Sequence, residues 1–443
     1  MGVDAFARAG RALFFEIKAV PLQCKKHDHI ISKPHSDMTH HNNKSTSDSK
    51  RNTSELFPGQ GIPRHILFMM AAVSGLTVAN CYYNQPLLED IRQQLNVTEV
   101  QANLITFITQ LGYALGLLFV IPLADKLSRR SIVITNLSLA AVMCCVIAGS
   151  DTIATVWAAS LVLGLCSVVP QIFIPMAGVF SLPENKSRNM GIVLSGLLSG
   201  VLGARVISGY VGEYTGWRTM FYCAGAIMVA CLCWTLRTMP MMRPTFSGSY
   251  TRLMCSVFAI YASHPAIRIY SLRAALAFGS MMSIWSCMAF HLAQEPFRAG
   301  SEQVGMLGLC GMAGAIAASG VGKYIPRLGI HRVCIIGTLL QFMAWTAALC
   351  FGHCYMGLVA AIILVDIGAQ CHQLSNQSGC LQLAPEAANR ANTIFMTHLF
   401  IGGSIGTLCT GLAWNHAGWT GVCITGLLFA AASLTVTLWK RTL

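Results

Sequence analysis

Twelve long apolar segments constrain the fold of this chain more than any other feature. They lie between His65 and Leu438, and each has about the 20 residues that an α-helix needs to cross a bilayer. Numbered in chain order, the predicted spans are 65–88, 102–124, 131–149, 154–178, 190–211, 219–236, 270–292, 304–324, 333–351, 356–378, 392–414 and 420–438. Only 11% of the 443 residues are charged, whereas soluble proteins carry roughly 25%. We therefore expect an all-α membrane protein with twelve transmembrane helices.

Charged residues concentrate before the first span. Residues 1–64 contain 10 Lys/Arg and 6 Asp/Glu and no long apolar run, so we expect residues 1–60 to form a disordered cytoplasmic tail. The longest polar break in the rest of the chain divides the spans six and six. The expected domains are a six-helix bundle over 61–236, a cytoplasmic linker over 237–269 and a second six-helix bundle over 270–443.

The distribution of basic residues predicts the orientation. If both termini are cytoplasmic, the tail and the inner loops hold 26 of the 30 Lys/Arg residues, and the outer loops hold only Arg92, Arg218 and Arg298. Loops rich in Lys and Arg remain on the cytoplasmic side. We therefore expect a multi-pass protein of the plasma membrane or of a bacterial inner membrane, with both termini in the cytoplasm.

Several classes of site are excluded by composition and motif. The net charge of +13 follows from the loop bias and needs no nucleic-acid partner. Most of the 18 cysteines lie in apolar segments, and no metal-ligand spacing is present, so we expect no metal and no cofactor. The sequence lacks the GxxxxGK[ST] motif of ATP-driven transporters. It also lacks a Ser-His-Asp set, so we do not expect an enzyme.

The two halves of the chain repeat each other. A shift of 202 residues superimposes eight identical residues, including Gln171 on Gln373 and Arg188 on Arg390. The shift spans an even number of helices, so the halves have the same topology and are related by an axis along the membrane normal.

The loops after spans 2 and 8 carry a signature. Asp125-Lys126-Leu127-Ser128-Arg129-Arg130 follows span 2, and Gly322 to Gly329 follows span 8. Both resemble the loop signature of the major facilitator superfamily, although Ile121 and Ser128 replace its glycines in the first loop and Pro326 replaces its aspartate in the second. Residues 79–88, 112–116 and 366–376 resemble bacterial efflux transporters near the drug/proton antiporters. The resemblance implies alternating access around a cavity lined mainly by spans 1, 4, 7 and 10.

The first of these loops is a candidate gate. A carboxylate such as Asp125 can accept hydrogen bonds from the positive N-terminus of a facing helix, and Lys126, Arg129 and Arg130 can hold the inner leaflet or acidic partners. The resemblance implies that this contact closes the cytoplasmic side. Simple anchoring of the loop explains Arg129 and Arg130 equally well but leaves Asp125 unexplained.

Two charges are predicted inside spans, Arg205 in span 5 and Asp366 in span 10. A charge at the bilayer centre costs at least about 2.5 kcal/mol, so each needs a partner or water. Burial disfavours the ionised form of a carboxyl and a nearby Arg favours it, so a changing distance between them can load and release a proton. The alternative is an Asp366 that only packs two helices. Ala204-Arg205 also stands where the antiporters have a Gly-Pro pair.

Polar and aromatic side chains on spans 1, 4, 7 and 10 predict the substrate cavity. The candidates are Asn84, Gln85, Gln171, Trp285, His291, Gln370, Gln373 and Asn376. Positions 366, 370, 373 and 377 follow helical spacing, so this polar stripe should face protein or water. Amides also hold helices together, which is the alternative.

Glycines at three- and four-residue spacing mark spans 2, 5, 8 and 11. Such faces let helices approach closely and slide. The resemblance places these four helices between the halves, so the glycines are expected at that interface.

The sequence thus predicts a secondary active transporter that exports a small organic solute, coupled to protons. Its partners would be the solute, protons and the lipid bilayer, and we expect a monomer. The alternatives are an uncoupled or import-type facilitator and, more remotely, a membrane receptor or sensor. The identity of the solute stays open.

Overall fold

The computed structural model describes Leu56 and residues 59–240, 248–384 and 387–439, with all of their side chains except those of Asp125, Ala313, Ala315, Ala318, Ser319 and Lys323. The predicted tail therefore lies almost wholly outside the described residues. Nearly all of the described chain is helical, and it contains no strand.

Helices form wherever the sequence predicts a span. Spans 1 to 6 are Arg64–Leu95, Glu99–Lys126, Arg129–Ala148, Ile153–Phe180, Lys186–Thr215 and Trp217–Thr238. Spans 7, 9 and 10 are Pro265–Ala293, Ile330–Phe351 and Tyr355–Leu383. Span 8 consists of Ser301–Leu307, a 3₁₀ turn at Gly308–Cys310 and Gly311–Leu328. Spans 11 and 12 share the helical segment Ala388–Trp439.

The last segment contains two spans rather than one. Its 52 residues would extend about 78 Å as a single helix, more than twice the roughly 30 Å of a bilayer core. Ala417 and Gly418 have non-helical backbone angles, and the φ of Gly418 is +52°. Gly216, its partner in the sequence repeat, also has a positive φ, +86°, between spans 5 and 6. Glycine adopts this conformation without a steric penalty, so the repeated Gly-Trp pair makes the same turn in both halves. The prediction of twelve spans is confirmed.

Span 7 and the linker differ from the sequence prediction. Span 7 begins at Pro265, where proline favours the first turn of a helix, and not at residue 270. Arg273, which the orientation count placed with the cytoplasmic basic residues, lies inside span 7 and is buried. The linker also contains an unpredicted helix, Tyr250–Ser263, whose Tyr250 hydroxyl donates to the Phe119 carbonyl of span 2 at 2.8 Å.

Successive spans run in opposite directions, which gives the molecule two loop-bearing faces. The loops after even-numbered spans, including 127–128, 181–182 and Gly329, lie on one face, which we name the basic face. The other loops, including 96–98 and 294–300, lie on the opposite face.

Glycines make the closest helix contacts, but mostly not where the sequence analysis expected them. A Cβ on Gly112 of span 2 would collide with the Leu161 carbonyl of span 4, and one on Gly200 of span 5 would collide with the Gly75 carbonyl of span 1. Gly402 of span 11 contacts span 7 in the same way. The expectation that these glycines lie at the interface between the two halves was therefore largely wrong. Glycine spacing marks a close approach but does not identify the neighbouring helix.

Candidate functional site

Arg205 lies at the centre of a site built from three spans. Its side chain is only 4% exposed. Its Nε donates to Oε1 of Gln85 in span 1 at 2.7 Å. The guanidinium carbon lies 4.0 Å from the ring centroid of Trp285 in span 7 and 5.0 Å from that of Tyr82 in span 1. Cation–π contacts of this kind contribute about 2 kcal/mol or more when water is excluded, so aromatic faces replace much of the lost hydration.

A break in span 1 orients two of these contacts. The helix ends at Ala79 and resumes at Asn84. Between them, the amides of Cys81 and Tyr82 donate to carbonyls three residues earlier, which is the tighter 3₁₀ pattern. Tyr82 and Gln85 are three residues apart, so they lie on the same side of the chain and both reach Arg205. The sequence analysis predicted Gln85 as a cavity residue but did not assign a role to Tyr82.

Asp366 of span 10 faces the same region and is 7% exposed. A Cβ on Gly311 of span 8 would lie 3.3 Å from its Oδ2, and one on Gly314 would lie 3.1 Å from its Cβ. The carboxylate interacts electrostatically with Arg205 and faces the Trp285 indole. No nitrogen of Arg205 lies within 4.0 Å of its oxygens, so the two described side chains form no ion pair.

Several polar atoms at this site have no hydrogen-bond partner among the described residues. They are Nε2 of Gln85, Nε1 of Trp285 and Oδ1 of Asp366. Buried polar atoms without a partner are rare in folded proteins, and each requires an explanation such as a ligand or an ordered water. The structure thus brings Gln85, Trp285, Arg205 and Asp366 together. We call these four residues, with Tyr82, the central charged site.

Other predicted cavity residues lie at separate places. Asn84 donates to Thr109 Oγ1 of span 2 at 3.2 Å. His291 bonds the Gly352 carbonyl at 2.8 Å and stacks on Trp419 with ring centroids 3.9 Å apart.

Span 10 carries predicted residues on two faces. Gln370 and Gln373 are half-buried on the polar stripe that continues from Asp366, and neither side chain has a hydrogen bond to the described residues. Asn376 lies off this stripe, where it donates to Cys334 Sγ of span 9 at 3.3 Å.

Gln171 lines a cleft that opens at the basic face. Its walls come from spans 2, 4 and 11, the linker helix and the first residue of span 3, and include Leu117, Pro122, Arg129, Gln171, Arg390 and Met396. The Gln171 amide lies 3.5 Å from the hydroxyl of Tyr113. Tyr113 packs against Phe400 of span 11, with ring centroids 4.3 Å apart. This aromatic contact between spans 2 and 11 was not predicted.

The predicted gating residues are only partly described. The side chain of Asp125 lies outside the described residues, and Lys126 is half-buried. The Arg129 guanidinium lies 5.9 Å from the Phe180 ring centroid. Arg130 donates to the Leu236 carbonyl at 2.7 Å, near the C-terminal end of span 6, where a cation is favoured by the helix dipole.

Proteins of known sequence or structure that resemble this chain include several named as transporters. The family profile described as Major Facilitator Superfamily matches residues 67–407. An uncharacterized transporter of Escherichia coli O157:H7 is 34% identical over 385 residues, which cover 87% of this chain and 97% of that protein. A probable transporter of Streptomyces coelicolor is 27% identical over 380 residues, covering 86% of this chain and 88% of that protein. In fold, the chain is similar to the crystal structure of the nucleoside transporter NupG, with a TM-score of 0.65, 14% identity and coverage of 85% and 98%.

Proposed function

Because the chain belongs to the major facilitator superfamily, we propose that this multi-pass membrane transporter exports a small organic solute in exchange for protons by alternating access. It is a transporter and not an enzyme. Proton exchange rests on one observation. Arg205 and Asp366, two buried groups of opposite charge on different spans, face the same site without forming an ion pair.

The lack of an ion pair supports a role for Asp366 in proton coupling. A buried charge pays a cost of at least about 2.5 kcal/mol inside a membrane. A carboxylate and a guanidinium in direct contact would offset much of that cost. Held apart, they leave the carboxylate open to a proton or to a solute, and the occupant can differ between conformations. Coupling of solute transport to protons requires such a change of occupant between conformations.

The contacts at the opposite face support alternating access. The Trp414 indole of span 11 donates to Glu99 of span 2 at 2.8 Å. Ser301 of span 8 donates to the Gly209 carbonyl of span 5 at 3.1 Å. These bonds join spans 1–6 to spans 7–12 on that side, whereas the cleft opens at the basic face. We assign the basic face to the cytoplasm because most Lys and Arg residues lie there.

The predicted division into two six-helix bundles remains part of this proposal. Asp125, Lys126, Arg129 and Arg130 would then lie at the cytoplasmic end of the cleft. In this proposal the transporter acts as a monomer. Export, rather than import, rests on the resemblance to efflux transporters.

Everted membrane vesicles test the proposal. A thermal-shift screen with cationic dyes, nucleosides, sugars and amino acids first identifies a solute that binds, because a ligand of the native state raises its apparent stability. An acidic vesicle lumen should then drive accumulation of this solute. Asp366→Asn should abolish the accumulation but keep exchange of labelled for unlabelled solute. Asp151→Asn, which changes an exposed loop carboxylate, should behave as wild type. Accumulation of the solute to the same level with and without the pH gradient would contradict proton coupling.

A further inference from the structure

The unpaired polar atoms of the central charged site indicate the chemistry of its ligand. Gln85 Nε2 is a donor without a partner among the described residues, and the Trp285 Nε1 donor faces the Asp366 carboxylate without a hydrogen bond of normal geometry. Arg205 makes its hydrogen bond there through Nε, and its two terminal nitrogens donate to no other residue that the structure describes. Asp366 Oδ1 is the acceptor without a partner. A complementary ligand therefore offers acceptors to Arg205 and its neighbours and a donor to Asp366.

Charge balance narrows the class of ligand further. With Arg205 and Asp366 both ionised, the two charges of the site cancel. A cation or an anion would add a net charge and leave one of the two residues without a counter-charge, which is costly in a site of low dielectric. A neutral solute would leave both unpaired. A solute with one group of each sign pairs both residues and keeps the site neutral.

We propose that the transported solute is a small zwitterion of the amino-acid type, whose carboxylate binds at Arg205 and whose ammonium group binds at Asp366. The proposal rests on the transport function proposed above. A carboxylate has enough lone pairs for the donors of Arg205 and Gln85 together. The ammonium group has only donors, which Asp366 accepts.

The same arrangement accounts for exchange with protons. A proton on Asp366 removes the negative charge that holds the ammonium group, so proton and solute compete for one carboxylate. Besides Arg205, the titratable groups that face Asp366 among the described residues are Tyr82 of span 1 and Cys310 of span 8. Neither adds a charge to the site while protonated, so Asp366 is the group at which the competition occurs.

The test measures binding to the purified full-length protein by thermal shift. The twenty protein amino acids are screened, and the one that stabilises most is compared with its decarboxylated amine and its deaminated acid. Each analogue lacks one charged hydrogen-bonding group, so we expect each to bind about tenfold or more weakly. Equal binding of an analogue and the amino acid, or no stabilisation by any amino acid, would overturn the proposal.

Variants assign each charge to its residue. In Arg205→Gln the amino acid and its amine should bind equally, and in Asp366→Asn the amino acid and its acid should bind equally. A merely structural role would lower stability without changing the order of the three ligands. Arg252→Gln and Asp151→Asn, at exposed positions, should keep the wild-type order. If Arg205→Gln does not fold, the comparison of the three ligands on wild type still decides.

The outcomes separate this inference from the proposed function. If the amino acid binds more tightly than its two analogues but its flux does not depend on the pH gradient, the solute class stands and proton exchange is wrong. If a dye, a nucleoside or a sugar exchanges with protons and no amino acid binds, the transport function stands and the solute class is wrong.

Discussion

A charge inside a membrane is stable only where protein groups replace the water around it. Around Arg205 these groups are one amide and two aromatic rings. Gln85 supplies the hydrogen bond, and Trp285 and Tyr82 supply the ring faces. The sequence identified Arg205, Asp366, Gln85 and Trp285 as individual candidates because polar residues are conspicuous in apolar spans. It did not show that they meet, since the contacts depend on the break in span 1 and on how the spans pack.

The position of Asp366 depends on the small residues of span 8. In Gly314→Leu, the new side chain begins 3.1 Å from the Asp366 Cβ, so we expect it to displace the carboxylate and to abolish pH-driven transport. Gly320→Leu on the same helix is the matched control, because nothing lies within 4 Å of its Cβ position. Both variants are measured by vesicle flux and thermal stability. Full transport by Gly314→Leu would show that the position of Asp366 does not matter.

At the level of helices, hydropathy predicted all twelve spans because length and apolar composition are local properties of the sequence. The linker helix was missed because Tyr250–Ser263 follows a segment rich in proline and serine, and only Leu253, Met254 and Val257 of the helix are buried. The partners of the glycines were also missed. Gly112 and Gly200 pack on spans 4 and 1, and helical spacing alone carries no information about the partner.

The contact between spans 1 and 5 should tolerate no side chain. Gly200→Leu would force the Gly75 backbone away. We therefore expect the free energy of unfolding to fall by about 1 to 3 kcal/mol, as at other overpacked sites. Gly191→Leu in the same span has open space around its Cβ position and should leave stability nearly unchanged. Thermal unfolding in detergent compares the two. Equal unfolding temperatures would contradict the close packing.

At the scale of the whole molecule, the residues just before span 1 are bonded to the end of span 4. The amides of Gly59 and Gly61 donate to carbonyls of Val179 and Phe180 at the end of span 4, at 3.1 and 3.0 Å. The central charged site draws only on residues beyond Arg64. The chain from Gly59 onward therefore contains every residue to which a transport role is assigned.

Deleting residues 2–55 should leave membrane insertion and transport nearly intact, because every residue of the central charged site lies beyond Arg64. A longer deletion, residues 2–62, removes the two contacts to span 4 and should lower thermal stability. For both deletion variants, membrane fractionation measures insertion, vesicle flux measures transport and thermal unfolding measures stability. Loss of insertion after the shorter deletion would instead indicate a targeting role for the N-terminal segment.

The most direct test of the account measures proton movement in proteoliposomes that contain a pH-sensitive dye. The solute that binds in the thermal-shift screen is added outside, with equal pH on both sides. We predict that solute entry drives protons out and raises the internal pH, and that Asp366→Asn admits labelled solute without a pH change. Solute entry without a pH change in wild type, or an undiminished pH change in Asp366→Asn, would contradict proton exchange at Asp366.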